Sequence, residues 1–389
     1  MPQRSFVCFL LVAFLVIIPM CGQAQIGPNT APAARYRQLD VFARQLPEAQ
    51  ATTITQLARS LAAAAQSDDE KARLIFAWLA YHVAYDTDYL RGNRSWGYSP
   101  AEVLRNRRAI CQGYADLFTI LARLMQVPAH TVTGYARIAP GDRPAGLQDT
   151  NHAWNVYQTG GRWHLADATW GAGAVTVAGQ YVAGFSPLWF DTPPAAAIFS
   201  HLPLEARWQL LPKTVETAQF AGWPYVSTEL FRLGASGAGL LRALARSRQP
   251  QLVQLPEVYT SGLDVAVEQV PLRSELEPHR PVVFRFAAGA DVELGLHDGH
   301  RIQKIAPAGP LREATMRPEP GELRVVAWSR SNPGTYYTLL RYHVSRVLPK
   351  RLLRQQFPDS INVAYLVRYR AHWVEPVASV PTSSVGLAR

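Results

Sequence analysis

The sequence is poor in cysteine, with three among 389 residues, and two of these, Cys8 and Cys21, lie close to the N-terminus. If the N-terminal segment is cleaved off as a secretion signal, as its pattern described below indicates, Cys111 is the one cysteine left. The mature chain could then not build an intramolecular disulfide framework. A lone cysteine is commonly a small buried hydrophobic residue. In an exported protein, however, an unpaired thiol is a liability, so the position of this cysteine in the chain indicates whether it has a chemical role.

Clusters of positive charge are also lacking, although Lys and Arg outnumber Asp and Glu by 39 to 29 and the net charge is +10. Only four of the basic residues are lysines, and the arginines are spread through the whole chain. No basic run alternates with aromatic residues, which argues against a nucleic-acid partner. With 48% hydrophobic and 17% charged residues, the composition is that of a globular protein of one large or two ordinary domains.

The motifs of the common metalloenzymes and serine hydrolases are missing too. The chain has no His-Glu-x-x-His, no paired Cys-x-x-Cys and no Asp-rich calcium loop, so the sequence predicts neither a metal nor a cofactor. The absence of Gly-x-Ser-x-Gly argues against a serine hydrolase. The glycines between 234 and 239 have the wrong spacing for a dinucleotide fingerprint.

The N-terminus has the features of a secretory signal. A positive charge precedes the apolar run Phe6–Ile18, which is shorter than the roughly 20 residues of a transmembrane helix. The small residues Gly22 and Ala24 suit a cleavage site. We therefore expect residues 1–24 to be removed and the mature protein to be secreted or periplasmic, without a membrane span. A lipid anchor at Cys21 is the alternative, which the bulky residue before it disfavours.

The first half of the chain has the pattern of α-helices. Residues 25–64 comprise a Pro/Ala-rich linker followed by a helical segment. Ser67 and Glu70 form a capping box, and apolar residues then recur at helical spacing to about Tyr85. A loop is predicted over 86–100.

A further helix is predicted to begin close to Cys111. Apolar residues follow at intervals of three and four through Met125, and the helix ends before Pro128. At a helix N-terminus the partial positive charge and the N–H groups favour a thiolate. A structural cysteine would more naturally lie within the apolar stripe, so this position favours a nucleophile.

After about residue 129 the period of the pattern changes to two. A strand is predicted over 131–135, and two further strands, 152–157 and 162–167, flank Gly160 and Gly161. Two glycines between alternating segments are typical of a tight hairpin turn.

The register of this hairpin has a chemical consequence. If the two glycines are the central turn residues, every opposed pair is fixed, and His152 lies opposite Thr169. Asp167 then lies diagonally across the ribbon on the same face as His152, with about 7–8 Å between the backbones. A carboxylate can reach an imidazole over that distance. We therefore expect a line of Cys111, His152 and Asp167, with the histidine in the middle.

The last third of the chain has the pattern of an all-β domain. Short strands separated by turn signals are predicted after about residue 275, at 281–286, 292–297, 323–328, 336–344 and 361–369. Together they predict a small β-sandwich.

Three motifs resemble those of the transglutaminase-like superfamily. Cys111-Gln-Gly-Tyr-Ala115 resembles its cysteine motif, and the segments that begin at His152 and Asp167 resemble its histidine and aspartate motifs. Two further segments, Lys71–Asp86 and Trp208–Leu211, resemble the kyphoscoliosis-peptidase-like branch.

This resemblance covers about residues 65–225 and implies an α+β fold with a papain-like core, in which a nucleophile helix packs on an antiparallel sheet. The catalytic residues that it implies are a triad of Cys111, His152 and Asp167. Ile110 and Ala168 depart from the family pattern, but neither is a catalytic group.

The expected domain organisation combines the patterns with the resemblance. Its parts are a signal peptide (1–24), an N-terminal linker and helical segment (25–64), a transglutaminase-like catalytic domain (65–225), a connector (226–274), a β-sandwich-like domain (275–376) and a tail (377–389).

Aromatic residues near the motifs are candidates for a substrate groove, although aromatics at this density mostly form core. These candidates are Trp96, Tyr98, Trp154 and Trp170. The two that precede the nucleophile helix are also candidates for an oxyanion donor, but the backbone N–H of Cys111 is a stronger one. Among the other histidines, His82 and His164 are expected to serve packing or the surface. The rest, including His201, have no spacing that indicates a site.

Two functions fit this sequence. The first is an exported cysteine enzyme that attacks peptide or amide bonds and forms a thioacyl intermediate, which water, by default, or an amine then resolves. The second is an inactive transglutaminase-like module that binds or scaffolds proteins at the cell envelope. In both cases the expected partner is a protein or peptide, including cell-envelope proteins.

We predict that the mature protein begins at Gln25, because the residues before it fit the specificity of signal peptidase. Mass spectrometry of the exported protein should give a mass that lacks residues 1–24. An intact Met1, or a lipid on Cys21, would contradict this.

Overall fold

The computed structural model describes residues 30–93, 97–137, 150–176, 178–247, 255–259, 261–308 and 311–345. The expected signal peptide, the expected strand at 361–369 and the tail lie outside the described residues. Within these ranges, no helix combines the length and hydropathy needed to cross a membrane.

The helices of the described ranges lie mainly in the first two thirds of the chain. In chain order they are α1 (Thr30–Gln45), α2 (Ile54–Ala64), α3 (Asp68–His82), α4 (Thr87–Leu90), α5 (Pro100–Asn106), α6 (Cys111–Leu124), α7 (Ala168–Ala172), α8 (Pro194–Ala197), α9 (Thr217–Gly222), α10 (Thr228–Arg232) and α11 (Gly237–Arg246). Short 3₁₀ turns lie at Glu48–Gln50, Pro187–Trp189 and Ala206–Gln209.

The strands concentrate toward the C-terminus. In chain order they are β1 (Ala84–Tyr85), β2 (Arg108–Ala109), β3 (Ala129–Ala136), β4 (His152–Thr159), β5 (Arg162–Ala166), β6 (Gly173–Val175), β7 (Tyr181–Ala183), β8 (His201–Pro203), β9 (Glu257–Val258), β10 (Val265–Gln269), β11 (Glu275–Leu276), β12 (Val282–Ala288), β13 (Val292–His297), β14 (Ile302–Lys304), β15 (Ala306–Ala308), β16 (Leu311–Met316), β17 (Gly321–Ser329) and β18 (Asn332–Val344).

Helix α3 begins where the sequence predicts. The hydroxyl of Ser67 accepts a hydrogen bond from the backbone N–H of Glu70, and acidic residues fill the first turn. The Glu70 carboxylate does not complete the capping box. Instead it accepts from the N–H of Gln66 and pairs with Arg35 of α1. The ion pair between Glu70 and Arg35 therefore connects the first turn of α3 to α1.

The prediction of an uninterrupted loop over 86–100 is wrong, because α4 lies within it. The following helix, α5, was also not predicted. Ser99 caps α5 with Glu102 in the third position, and Pro100 occupies the first turn. Helices this short have too few residues to display a helical period, so their capping residues are the only local signal.

The helix that begins at Cys111 packs on an antiparallel sheet whose strand order is β5-β4-β3-β8. Helix α6 also contacts α3, which is buried along most of its length. Apolar side chains of both helices and of the sheet form one core, among them Phe76, Leu79, Leu117, Phe118 and Tyr157. The core fixes the start of α6 relative to the ends of the strands.

The hairpin register is confirmed over part of its length. Thr159 pairs with Arg162 across the two glycines, and Asn155 pairs with Ala166. The ladder ends there, so the predicted pairing of His152 with Thr169 is wrong. Thr169 lies in α7. The chain leaves the strand because the Asp167 side chain caps α7 in place of continuing the ladder.

The C-terminal part is a β-sandwich, as predicted. One sheet has the order β10-β12-β16-β15, and the other has β11-β18-β17-β13-β14, with β9 beside β18. Buried residues of both sheets form a single core, among them Phe284, Phe286, Leu294, Val325 and Tyr342. Two of the strands, β9 and β10, come from the segment that the sequence analysis assigned to the connector. The described chain is therefore α+β, with a helix-and-sheet core followed by a sandwich.

Helices α10 and α11 lie between these two parts. Their apolar faces join a separate cluster that includes Leu230, Leu240 and Leu244, together with Phe199 and Phe220 of the preceding region. Leu233 belongs to the core of the sandwich. The connector is thus packed against both neighbours.

Gly171 controls how closely α7 approaches α3. A Cβ atom there would lie 2.5 Å from Cζ of Phe76, a ring that is fully buried. We expect Gly171→Ala to lower the free energy of unfolding by about 1–3 kcal/mol, because the buried ring cannot yield without repacking. Chemical denaturation measures the loss. Gly184→Ala is the matched control, since a Cβ at Gly184 meets nothing within 4 Å. Equal stability of the two variants would contradict the prediction.

Candidate active site

Asp167 lies between β5 and α7 with its carboxylate fully buried. Its Oδ1 accepts a hydrogen bond from the backbone N–H of Trp170 at 3.0 Å, which caps the helix. Burial alone would raise the pKa of this carboxyl group, but the charge of His152 and hydrogen bonds from two histidines lower the pKa well below its ordinary value. The group is therefore ionised at neutral pH.

His152 is the first residue of β4, and the sheet holds its backbone opposite Gly134 of β3. Its Nε2 lies 2.7 Å from Oδ2 of Asp167, so the two predicted partners are in contact. Burial opposes protonation of this ring. The charge of Asp167, the hydrogen bond to it and the nearby Cys111 prevail, however, and raise the pKa of His152 to about 9.

Cys111 is the first residue of α6, as the sequence predicts, and it is a half-buried free thiol. The nearby thiol is one of the groups that raise the pKa of His152. Because Nε2 of His152 is bound to Asp167, Nδ1 is the ring nitrogen available to the sulfur. The structure thus brings His152 into contact with Asp167 and packs α6, which begins at Cys111, against β4.

A second histidine, His201, contacts the same carboxylate and was missed in the sequence. Its Nε2 lies 3.0 Å from Oδ2 of Asp167, and its Nδ1 lies 2.8 Å from Oγ of Ser200. Burial lowers the pKa of His201, which favours the neutral ring. Strand β8 has three residues and pairs with the distant β3, so neither period nor spacing in the sequence could place His201 here.

The two histidines and Asp167 each offer one metal-ligating atom, and these atoms lie within 4.8 Å of one another. The atoms are used among themselves, however. Both Nε2 atoms contact one carboxylate oxygen, and the other oxygen is held by the N–H of Trp170. This donor arrangement fits a hydrogen-bonded relay rather than an open coordination sphere.

The predicted groove residues have different positions. Trp154 is 1% exposed and stacks against His152 with ring centroids 5.9 Å apart. A fully buried ring cannot line a groove, so this assignment is corrected: Trp154 supports the histidine from within the core. Trp170 is partly exposed, packs 5.6 Å from the ring of His152, and remains a candidate. Trp96 lies outside the described residues.

Tyr98 belongs to a polar network next to the nucleophile helix. Its hydroxyl donates to Oδ2 of the buried Asp86 at 3.0 Å, and Arg108 donates to Oδ1 of Asp86 at 2.9 Å. The backbone N–H of Asp86 donates to the carbonyl of Ala109, two residues before Cys111. This network fastens the chain that enters α6. It also occupies the Tyr98 hydroxyl, which argues against that group as the oxyanion donor.

The histidines expected to serve packing do lie away from the site. The ring of His82 contacts the carbonyl of Ala43 and stacks on Trp78. His164 pairs with Asp191, with 2.7 Å between Nδ1 and Oδ1. The described region thus contains a second His–Asp pair, one without a cysteine.

The sequence of this region matches a known family. Residues 55–168 match the model of the transglutaminase-like superfamily, a range that contains Cys111, His152 and Asp167. Kyphoscoliosis peptidase of Homo sapiens is 32% identical over 208 residues, which are 52% of this chain and 31% of that protein. Hillarin of Drosophila melanogaster is 26% identical over 215 residues, 51% of this chain and 26% of that protein.

Among solved structures, one described as the crystal structure of a TGase is 16% identical, with a TM-score of 0.23, and the match covers 38% of this chain and 34% of that chain. The chain spans less than a third of the length of the two relatives named above. The family match coincides with the helix, sheet and polar site described here. Residues 55–168 of this protein are therefore similar to the transglutaminase-like superfamily.

Proposed function

We propose that this protein is a cysteine acyl-transfer enzyme that hydrolyses peptide or amide bonds through Cys111, His152 and Asp167. The observation that carries the proposal is the buried His152–Asp167 pair, with 2.7 Å between Nε2 and Oδ2, beside a cysteine at the start of a helix. A buried charge pair is costly to build, and such pairs concentrate at functional sites. The family match supports the roles given to the three residues.

In the first half of the reaction, the sulfur of Cys111 attacks the carbonyl carbon of the amide and forms an S–C bond. His152 donates its Nδ1 proton to the leaving nitrogen, the C–N bond breaks, and the amine departs. The product on the enzyme is a thioester. Throughout, Asp167 accepts the Nε2–H of His152, which fixes the ring and stabilises its cationic form.

In the second half, His152 takes a proton from water through Nδ1, and the oxygen attacks the thioester carbon. The S–C bond breaks, the carboxylic acid leaves, and the sulfur departs as a thiolate, so the proton stays on His152 and the starting ion pair is restored. An amine in place of water would give a new amide and make the reaction a transamidation. Water is the simpler acceptor, because it needs no dedicated binding site.

The oxyanion of each tetrahedral intermediate needs hydrogen-bond donors. We assign this role to the backbone N–H of Cys111, because the start of a helix directs N–H groups and partial positive charge outward. Trp170 lies beside His152 and is partly exposed, so we assign it to the wall of the substrate groove.

The N-terminal signal pattern supports the proposal that the enzyme acts outside the cytoplasm on secreted or envelope proteins. An inactive module that only binds such proteins is the alternative. Reactivity of the thiol distinguishes the two proposals, because binding requires no activated sulfur. Iodoacetamide near pH 6 should modify Cys111 faster than free cysteine if the enzyme proposal is correct.

Removal of the nucleophile or of its supporting charge should have graded effects. Cys111→Ala should abolish turnover of a peptide library. Asp167→Asn should keep the fold but reduce kcat by a factor on the order of 10²–10⁴, because a neutral amide cannot stabilise the imidazolium. Mass spectrometry of the cleaved peptides gives the rates. Asp191→Asn, at the second His–Asp pair, is the matched control and should leave turnover unchanged. Wild-type activity in Cys111→Ala would refute the proposal.

The His152–Asp167 pair also predicts a pH dependence of stability. The pKa of His152 rises from an ordinary 6.5 to about 9 on folding. Its contribution is therefore complete below about pH 6.5 and is lost as the pH rises through 9. We expect the wild type to lose about 2–4 kcal/mol more than His152→Gln between pH 6.5 and 9.5. Urea denaturation at the two pH values tests this, and equal losses in both proteins would contradict it.

A further inference from the structure

Two histidines from different strands contact a single oxygen of Asp167. Nε2 of His152 lies 2.7 Å from Oδ2, and Nε2 of His201 lies 3.0 Å from the same atom. The other carboxylate oxygen accepts from the N–H of Trp170. All three donors are within hydrogen-bond range, so the rotamer of Asp167 is held from three sides.

His201 is itself held rigidly. The residue is 1% exposed, and the rings of Trp170, Trp154 and Trp189 surround it with centroid distances of 4.5, 5.0 and 5.2 Å. Its Nδ1 lies 2.8 Å from Oγ of Ser200. A side chain so enclosed has one orientation, and that orientation directs Nε2 at Asp167.

The protonation state of His201 follows from its partners. Asp167 is an ionised acceptor, so Nε2 of His201 must carry the proton of their hydrogen bond. Burial lowers the pKa of His201, so the ring is neutral and Nδ1 is an acceptor for the Ser200 hydroxyl. His201 is thus a neutral donor to Asp167, whereas His152 is its cationic partner.

We infer that His201 is a positioning residue of the proposed reaction, which fixes the Asp167 carboxylate and keeps it ionised so that Asp167 can support His152. This inference rests on the proposed function. In this role His201 acts through Asp167 and transfers no proton, while its ring packs against Trp170 of the proposed groove wall. Without it, the buried carboxylate would lose one of three donors and become easier to protonate.

Other titratable groups also face the carboxylate and belong in the interpretation of its titration. The charge of Asp167 contributes to the raised pKa of Tyr85 and of Tyr114. Cys111 contributes to the raised pKa of His152, which contacts the carboxylate. Burial raises the pKa of Tyr85 and the pKa of Tyr114 well above their ordinary values. Neither tyrosine titrates in the acid range, so a change there reports on the carboxylate and its histidines.

The test compares His201→Phe, which removes the donor, with His201→Gln, whose amide can donate to the same oxygen. His164→Phe is the matched control, because it removes a histidine from the second His–Asp pair. For each folded protein we would measure the alkylation rate of Cys111 by iodoacetamide against pH, kcat and KM on a cleaved peptide, and the ¹³Cγ titration of Asp167 by NMR. Circular dichroism establishes that each variant is folded.

We expect His201→Phe to lower kcat about 10- to 100-fold with little change in KM, the scale of one hydrogen bond to a buried charge. The acid limb of alkylation and the ¹³Cγ titration should both move to higher pH by about one unit. His201→Gln should retain most of the wild-type kcat and of the wild-type pH dependence. His164→Phe should behave like the wild type.

The two proposals fail in different ways. If Cys111 of the wild type is no more reactive than free cysteine and no peptide is cleaved, the proposed function is wrong. If the wild type is reactive but His201→Phe leaves the acid limb and the ¹³Cγ titration unchanged, His201 has only a packing role and this inference is overturned. If His201→Phe does not fold, His201→Gln provides the test. A shift of its acid limb or of its ¹³Cγ titration as large as the one expected for His201→Phe would overturn the inference.

Discussion

The buried carboxylate of Asp167 is the group around which the surrounding structure is arranged. A carboxylate removed from water is strongly destabilising unless hydrogen-bond donors or positive charge replace its hydration. Here the donors come from three separate elements: the N–H at the start of α7, His152 at the start of β4 and His201 at the start of β8. The strand order β5-β4-β3-β8 brings these strand ends together at one end of the sheet. The hydrogen bonds that stabilise this one carboxylate therefore depend on the arrangement of the whole sheet.

Close packing below the site keeps these elements in register. Gly171 allows α7 to lie directly on the ring of Phe76, and the same core places the start of α6 against β4. Interiors at this density transmit small displacements, because buried rings have few alternative positions. A shift of α7 would move the cap, the carboxylate and the histidine together. Core residues distant from the sulfur are thus part of what orients it.

Much of this could be predicted from the sequence, for identifiable reasons. The helix that begins at Cys111 and the hairpin around Gly160 have clear periods and turn residues, so their positions and the His152–Asp167 contact followed from local patterns. The backbone geometry that leads to this contact could not be predicted, because the side chain of Asp167 caps α7 and ends the strand ladder. His201 could not be predicted either, because a three-residue strand has no period and its pairing is long-range.

Two buried histidines on one carboxylate must divide the available charge. A single negative charge can stabilise one imidazolium at short range, and a second one beside it would be repelled in a medium of low dielectric constant. The two rings differ in what lies at their other nitrogen. His201 meets the neutral Ser200 hydroxyl, and its pKa is lowered, whereas His152 interacts with Cys111, and its pKa is raised to about 9. The proton is therefore held on the ring beside the sulfur, where acyl transfer would use it.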